Sequence, residues 1–192
     1  MNVHRQMNEP KYIIYRIYNT LLMILLSLFV SYIGLYGPIL LFVLTLFLLR
    51  NKTNYLAFFM SGFALNNILN IILKLAIKEP RPTGDQKIIE IALANGIRVG
   101  FDKFGMPSGH AQNCAYCLSF VMLTLHNPVI ITLYMVITLI TVCQRYIYKN
   151  YSALQLLVGL TIGSLFGYLT YCIGKKHITG NIKMRPDDYG PL

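Results

Sequence analysis

The sequence predicts an all-α integral membrane bundle of six transmembrane helices. Three observations predict it. The 192-residue chain is 55% hydrophobic and 12% charged, with a mean hydropathy of +0.53, whereas soluble domains carry about 25% charged residues. Its apolar residues fall into runs of span length, and about 20 such residues cross a bilayer. Prolines, glycines and most acidic side chains gather in one stretch, 78–107, as expected of a loop held outside the membrane. Six spans leave about 32 residues each, which makes 1–192 a single membrane domain with no room for a second.

The first two spans, 17–34 and 35–49, are separated by Tyr36-Gly37-Pro38. Gly-Pro is turn chemistry, so a tight helical hairpin is expected there. The residues ahead of it lack a small-residue cleavage site, so the first span is expected to stay as an anchor. Arg50 and Lys52 mark an interface before the third span, 55–77, which carries Asn66, Asn67 and Asn70. Amides are costly against lipid and are expected to face other helices. In the loop 78–107, residues 86–95 are apolar enough for a short amphipathic helix on the membrane surface. The remaining spans are 108–125, 128–147 and 153–173, followed by a polar tail, 174–192.

The formal charge is +10, from 17 Lys and Arg against 7 Asp and Glu. In a membrane protein this points to anionic lipid rather than nucleic acid as the partner. Nine of the 17 basic residues fall on the side of the termini. Setting aside Lys74, Arg81 and Arg145, the balance is nine against five, which favours cytoplasmic termini and a lumenal or extracellular long loop. Cys114, Cys117, Cys143 and Cys172 all lie in apolar runs and match neither a zinc site nor a secreted disulfide framework.

Three clusters fall at span ends on the side of the long loop. In KLAIKEPRP (74–82), Lys74 and Arg81 are placed to converge on one anion, a point charge beside a planar fork that suits phosphate. Snorkelling of the lysines toward headgroups is the alternative. In Pro107-Ser108-Gly109-His110, Ser108 is a helix N-cap and Gly109 permits close approach. Free amides and a positive helix end would face a phosphate, with His110 one step inside to move a proton. An ordinary capped helix explains the same residues. In QRYIYKNYSALQLLVG (144–159), Arg145 closes the fifth span, and Tyr151 and Gln155 share a face four residues apart. An interfacial aromatic belt accounts for the tyrosines equally well.

Taken together, Lys74-x6-Arg81-Pro82, the PSGH at 107–110 and Arg145 resemble the type 2 phosphatidic acid phosphatase superfamily, whose pattern is K-x6-RP, PSGH and SR-x5-H-x3-D. IKEPRP and FGMPSGHAQ are closest to its dolichyl-diphosphatase branch, where Gln tends to stand in the place of the final Asp, as Gln155 does. The resemblance spans residues 66–167. It implies a membrane phosphatase of the endoplasmic reticulum acting on a polyprenyl or related lipid diphosphate at the lumenal interface, recycling the lipid carrier of glycan assembly. Lys74, Arg81, Arg145 and the Ser108 and Gly109 amides would hold the phosphoryl oxygens, with Pro82, Pro107 and Gln155 in support. His110 would protonate the leaving group. No metal or cofactor is implied, because cations and the helix dipole would neutralise the developing charge.

One position departs from the pattern. Six residues after Arg145 stands Tyr151, where the family has its nucleophilic histidine, and Gln144 replaces the preceding serine. An imidazole is a fair nucleophile near neutral pH, whereas a phenol is then protonated and needs activation by neighbouring cations. The remaining histidines, His4, His126 and His177, are not expected to substitute. Three readings stay open: a hydrolase in which Tyr151 or water attacks, a pseudophosphatase that binds lipid phosphate without turnover, and, from the asparagines of the third span, a transporter or purely structural membrane protein.

Overall fold

The computed structural model describes residues 10–82, 90, 91, 93–96 and 100–180. Among them are five long helices: α1 (Pro10–Leu48), α2 (Thr53–Ile77), α3 (Gly109–Leu125), α4 (Pro128–Ile147) and α5 (Ala153–Gly180). A 3-10 turn, Gly100–Lys103, lies in the loop before α3. The architecture is all-α, and four helices are long and apolar enough to cross a membrane: Ile14–Leu48, Thr53–Ile77, Pro128–Ile147 and Ala153–Ile178.

The hairpin expected at Tyr36-Gly37-Pro38 does not form. The two spans expected over 17–49 are one continuous helix of 39 residues with Pro38 inside it. Gly37, expected in a turn, is a packing residue, as is Gly34. A Cβ on Gly34 would come within 2.5 Å of Gln144 Cβ, and one on Gly37 would strike Thr141 Oγ1, so both let α4 approach the α1 backbone. A single proline costs a helix one hydrogen bond, and membrane helices tolerate this better than an open turn, which strands several backbone groups. The six-helix expectation is thereby corrected to five among the described residues.

Helix α3 is the shortest of the five, at 17 residues, and sits at the centre against α1, α2, α4 and α5. Its Cys114, Tyr116, Cys117, Phe120 and Val121 are fully buried with Phe59 and Tyr134. Helix α5 packs on it through Gly159, Gly163 and Gly167, spaced by four. A Cβ at Gly159 would meet the Ser108 carbonyl oxygen at 2.6 Å, and one at Gly163 would strike the Gln112 carbonyl. Small residues at this spacing let two backbones meet where burial from water supplies no driving force.

The site end of the bundle is identified by antiparallel contacts. Thr45 Oγ1 lies 2.9 Å from the Tyr134 hydroxyl near the far end, and Ser31 Oγ lies 2.8 Å from the Tyr148 hydroxyl at the near end. Helix α1 thus enters the bundle from beyond the site end, and α5 ends at the far one. The long loop is closed at its base. Lys78 ends α2 in the left-handed region (φ 54°), the Gly105 N–H donates to the Glu79 carbonyl at 2.8 Å, and Pro80 bridges Phe104. The surface helix expected over 86–95 lies mostly outside the described residues, as does the tail beyond 180. Helix α5 continues past the expected end at Ile173 to Gly180.

Candidate active site

Helices α1 to α4 and the loops before α3 and α5 line one cavity of about 370 Å³ at the site end. Helix α2 supplies Asn67, Asn70 and Lys74, and the closed loop supplies Arg81 and Asp102. Gly109, His110 and Asn113 come from α3, and Arg145 comes from the last turn of α4. Tyr151 precedes α5, and Leu35 of α1, Ile71 of α2 and Phe101 of the loop form the apolar lining of the cavity.

Lys74, Arg81 and Arg145 are buried, at 3%, 5% and 7% exposure, so the structure holds three cations around one space largely removed from water. Such an arrangement stands only with anions and acceptors nearby. Lys74 Nζ lies 3.8 Å from Asp102 Oδ1, and Arg81 Nε donates to the Asp102 carbonyl at 2.9 Å. Arg145 Nη1 donates to Asn150 Oδ1 at 3.1 Å, and its Nη2 contacts His110 Nε2 at 2.5 Å. A guanidinium only donates, so Nε2 of His110 is the acceptor in this contact.

The N-terminus of α3 opens into the cavity through Gly109 and His110. Ser108 caps the helix, its side chain accepting from the Ala111 N–H at 3.5 Å, while its own N–H is committed to the Gln155 carbonyl at 3.1 Å. It supports the cradle from behind rather than lining it. An amide ladder fixes α3 against α2. Asn66 Nδ2 donates to Asn113 Oδ1 at 2.7 Å, Asn113 Nδ2 to Asn67 Oδ1 at 2.9 Å, and Asn70 Nδ2 to Gln112 Oε1 at 2.7 Å and the Pro107 carbonyl at 3.2 Å. The asparagines of the third expected span thus meet α3, and two of them also line the cavity.

Tyr151 is 4% exposed, and its ring lies under the Arg81 guanidinium, 4.5 Å from Cζ to centroid. This cation–π contact, worth about 0.5–2 kcal/mol, braces Arg81. Gln155 does not face Tyr151. Its Nε2 donates to Glu79 Oε1 at 2.8 Å and to the Pro80 carbonyl at 2.9 Å, clamping the loop to α5. His126 ends α3 at the far face, His177 lies in the last turn of α5 against Phe58, and His4 is outside the described residues.

The sequence pattern of the PAP2 superfamily matches residues 54–179, about two thirds of the chain, and includes every cationic and motif residue of the cavity. The chain belongs to the PAP2 superfamily. It is also similar to the dolichyldiphosphatase of Saccharomyces cerevisiae, 29% identical over 122 residues, covering 58% of this chain and 48% of that relative. The match therefore spans about half the relative's length. No solved structure matches. In this PAP2 member Lys74, Arg81, His110 and Arg145 line one cavity. Sequence reasoning missed Asp102, whose approach depends on loop closure, and the Gln112 and Asn113 partners of the ladder.

Proposed function

We propose that this chain is a membrane lipid phosphatase that hydrolyses the terminal phosphate of a polyprenyl or related lipid diphosphate at the membrane interface. The observation that carries the reading is the convergence of three buried cations and the opened end of α3 on one cavity beside an apolar wall. Lys74, Arg81 and Arg145 would take the phosphoryl oxygens, with the Gly109 and His110 amides completing the cradle. A phosphate that draws Arg145 onto its oxygens releases His110 Nε2, which is then free to carry a proton to the leaving oxygen. The lipid chain would run along Leu35 and Ile71 into the bilayer.

The resemblance to dolichyldiphosphatase supports an endoplasmic reticulum membrane with the cavity on the lumenal side and a cytoplasmic C-terminus. A cytoplasmic N-terminus beside it needs an even number of crossings, whereas α1 runs through as one helix.

A second reading is favoured by one observation, the Tyr151 ring packed under Arg81 where the family's nucleophile would stand. It makes the chain a pseudophosphatase that holds lipid phosphate. Phosphate release from a polyprenyl diphosphate by purified full-length protein in detergent separates the two. The hydrolase reading expects turnover that His110→Ala abolishes. Binding without turnover, weakened by Arg81→Ala, supports the second reading.

A further inference from the structure

We propose that Asp102 is the general base of this site, activating a water molecule for direct attack on phosphorus in place of a histidine nucleophile. The inference rests on the hydrolase reading.

Attack on phosphorus needs an accessible lone pair beside the phosphate cradle. Lys74, Arg81 and Arg145 have none to offer as cations, and His110 Nε2 is on the Arg145 side. The Tyr151 ring is stacked on Arg81 and buried. Glu79 is held by the Gln155 amide and does not line the cavity. Among the described residues lining the cavity, Asp102 alone carries a carboxylate.

Its placement suits the task. Oδ1 stands 3.8 Å from Lys74 Nζ, beyond a direct hydrogen bond, which leaves the carboxylate able to accept from water. The side chain is 29% exposed, so water reaches it. The Asp102 carbonyl is fixed by Arg81 Nε at 2.9 Å, so a residue that would hold the phosphate also sets the position of the base. In the step, the water oxygen forms a bond to the terminal phosphorus as the bond from phosphorus to the bridging oxygen breaks. The water proton passes to the Asp102 carboxylate. The bridging oxygen leaves with the electron pair and takes the proton that His110 Nε2, once released by Arg145, has gained from solvent, giving inorganic phosphate and a lipid monophosphate. Exchange with solvent resets both groups.

The test uses the full chain in detergent with polyprenyl diphosphate, and compares Asp102→Asn and Asp102→Glu with wild type. Asn keeps the side-chain shape and the carbonyl that Arg81 holds. The expected result is a fall in kcat of about 10²- to 10⁴-fold for Asp102→Asn. Inorganic phosphate should bind it as tightly as wild type or more so, Asp102→Glu should recover part of the rate, and acid quenching should trap no phosphoprotein. Turnover of Asp102→Asn within threefold of wild type, or faster, overturns the proposal, the faster case marking Asp102 as a competitor for the phosphate site. Phosphate trapped on Tyr151 overturns it as well. Loss of phosphate binding together with turnover does the same by reducing Asp102 to a positioning residue. In these cases an active wild type leaves the hydrolase reading standing. A wild type that binds phosphate without turnover removes that reading and the base together.

Discussion

At Gln155 a single residue ties the loop and the residue ahead of α3 to the start of α5. Its side-chain Nε2 donates to Glu79 and Pro80 in the loop, its Oε1 accepts from the Ser152 N–H at 3.1 Å, and its backbone carbonyl accepts from the Ser108 N–H. Gln155→Glu turns the contact with Glu79 into two facing carboxylates. It is expected to destabilise the fold by about 3 kcal/mol or more, read by denaturant unfolding in detergent, while Gln155→Leu costs less. The same geometry bears on position 151. Because Gln155 faces the loop, no described group orients an imidazole placed there, and Tyr151→His is expected to change steady-state phosphate release by less than about tenfold. Lys74, Arg81, His110 and Arg145 were legible in the sequence because each lies at a span end, and hydropathy alone puts those ends on one side. Asp102 was not. Its carboxylate reaches Lys74 only because Glu79–Gly105 pairing folds a long loop back on itself, and no local spacing encodes that contact.

Between helices, polar and small residues do what apolar burial does in soluble cores. Asn70→Leu removes the donor to Gln112 and Pro107, leaving two buried acceptors, one on α3 and one just ahead of it. A loss of about 1–3 kcal/mol is expected, together with weaker phosphate binding as the start of α3 shifts, both measurable on one purified variant. Gly163→Leu, whose side chain would collide with the α3 backbone at Gln112, is expected to disrupt the packing of α3 on α5 more severely. Helix α1 shows why hydropathy misjudges elements. A glycine in an apolar run reads alike whether it turns the chain or admits a neighbour, and only the partner, here Thr141 or Gln144 on α4, decides. Spin labels at the exposed positions Leu22 and Phe47 report this directly. One helix separates them by about 37 Å, whereas a hairpin brings them within about 20 Å.

For the whole molecule, the continuous α1 and the positions of the helix ends put the start of α1 and the end of α5 on opposite faces. Single cysteines in place of Ile14 and Lys175, on a background lacking the four native cysteines, are expected to react with impermeant reagents from opposite sides of sealed vesicles. An all-α membrane bundle was readable from composition, since the chain has too few charges for a soluble surface. The number of crossings was not, because it turned on one Gly-Pro pair. Helix packing brings the residues before 82, around 109 and at 145 to one end, and the account as a whole rests on their acting together on one anion. The most direct measurement is the affinity of the purified full chain for a polyprenyl diphosphate, with Arg81→Ala, Arg145→Ala and the double variant compared. Each single change is expected to weaken binding at least tenfold, and the double variant by less than the product of the two, because both guanidinium groups grip the same phosphate. Wild-type affinity in either single variant, or strictly multiplicative losses from two independent sites, contradicts the account.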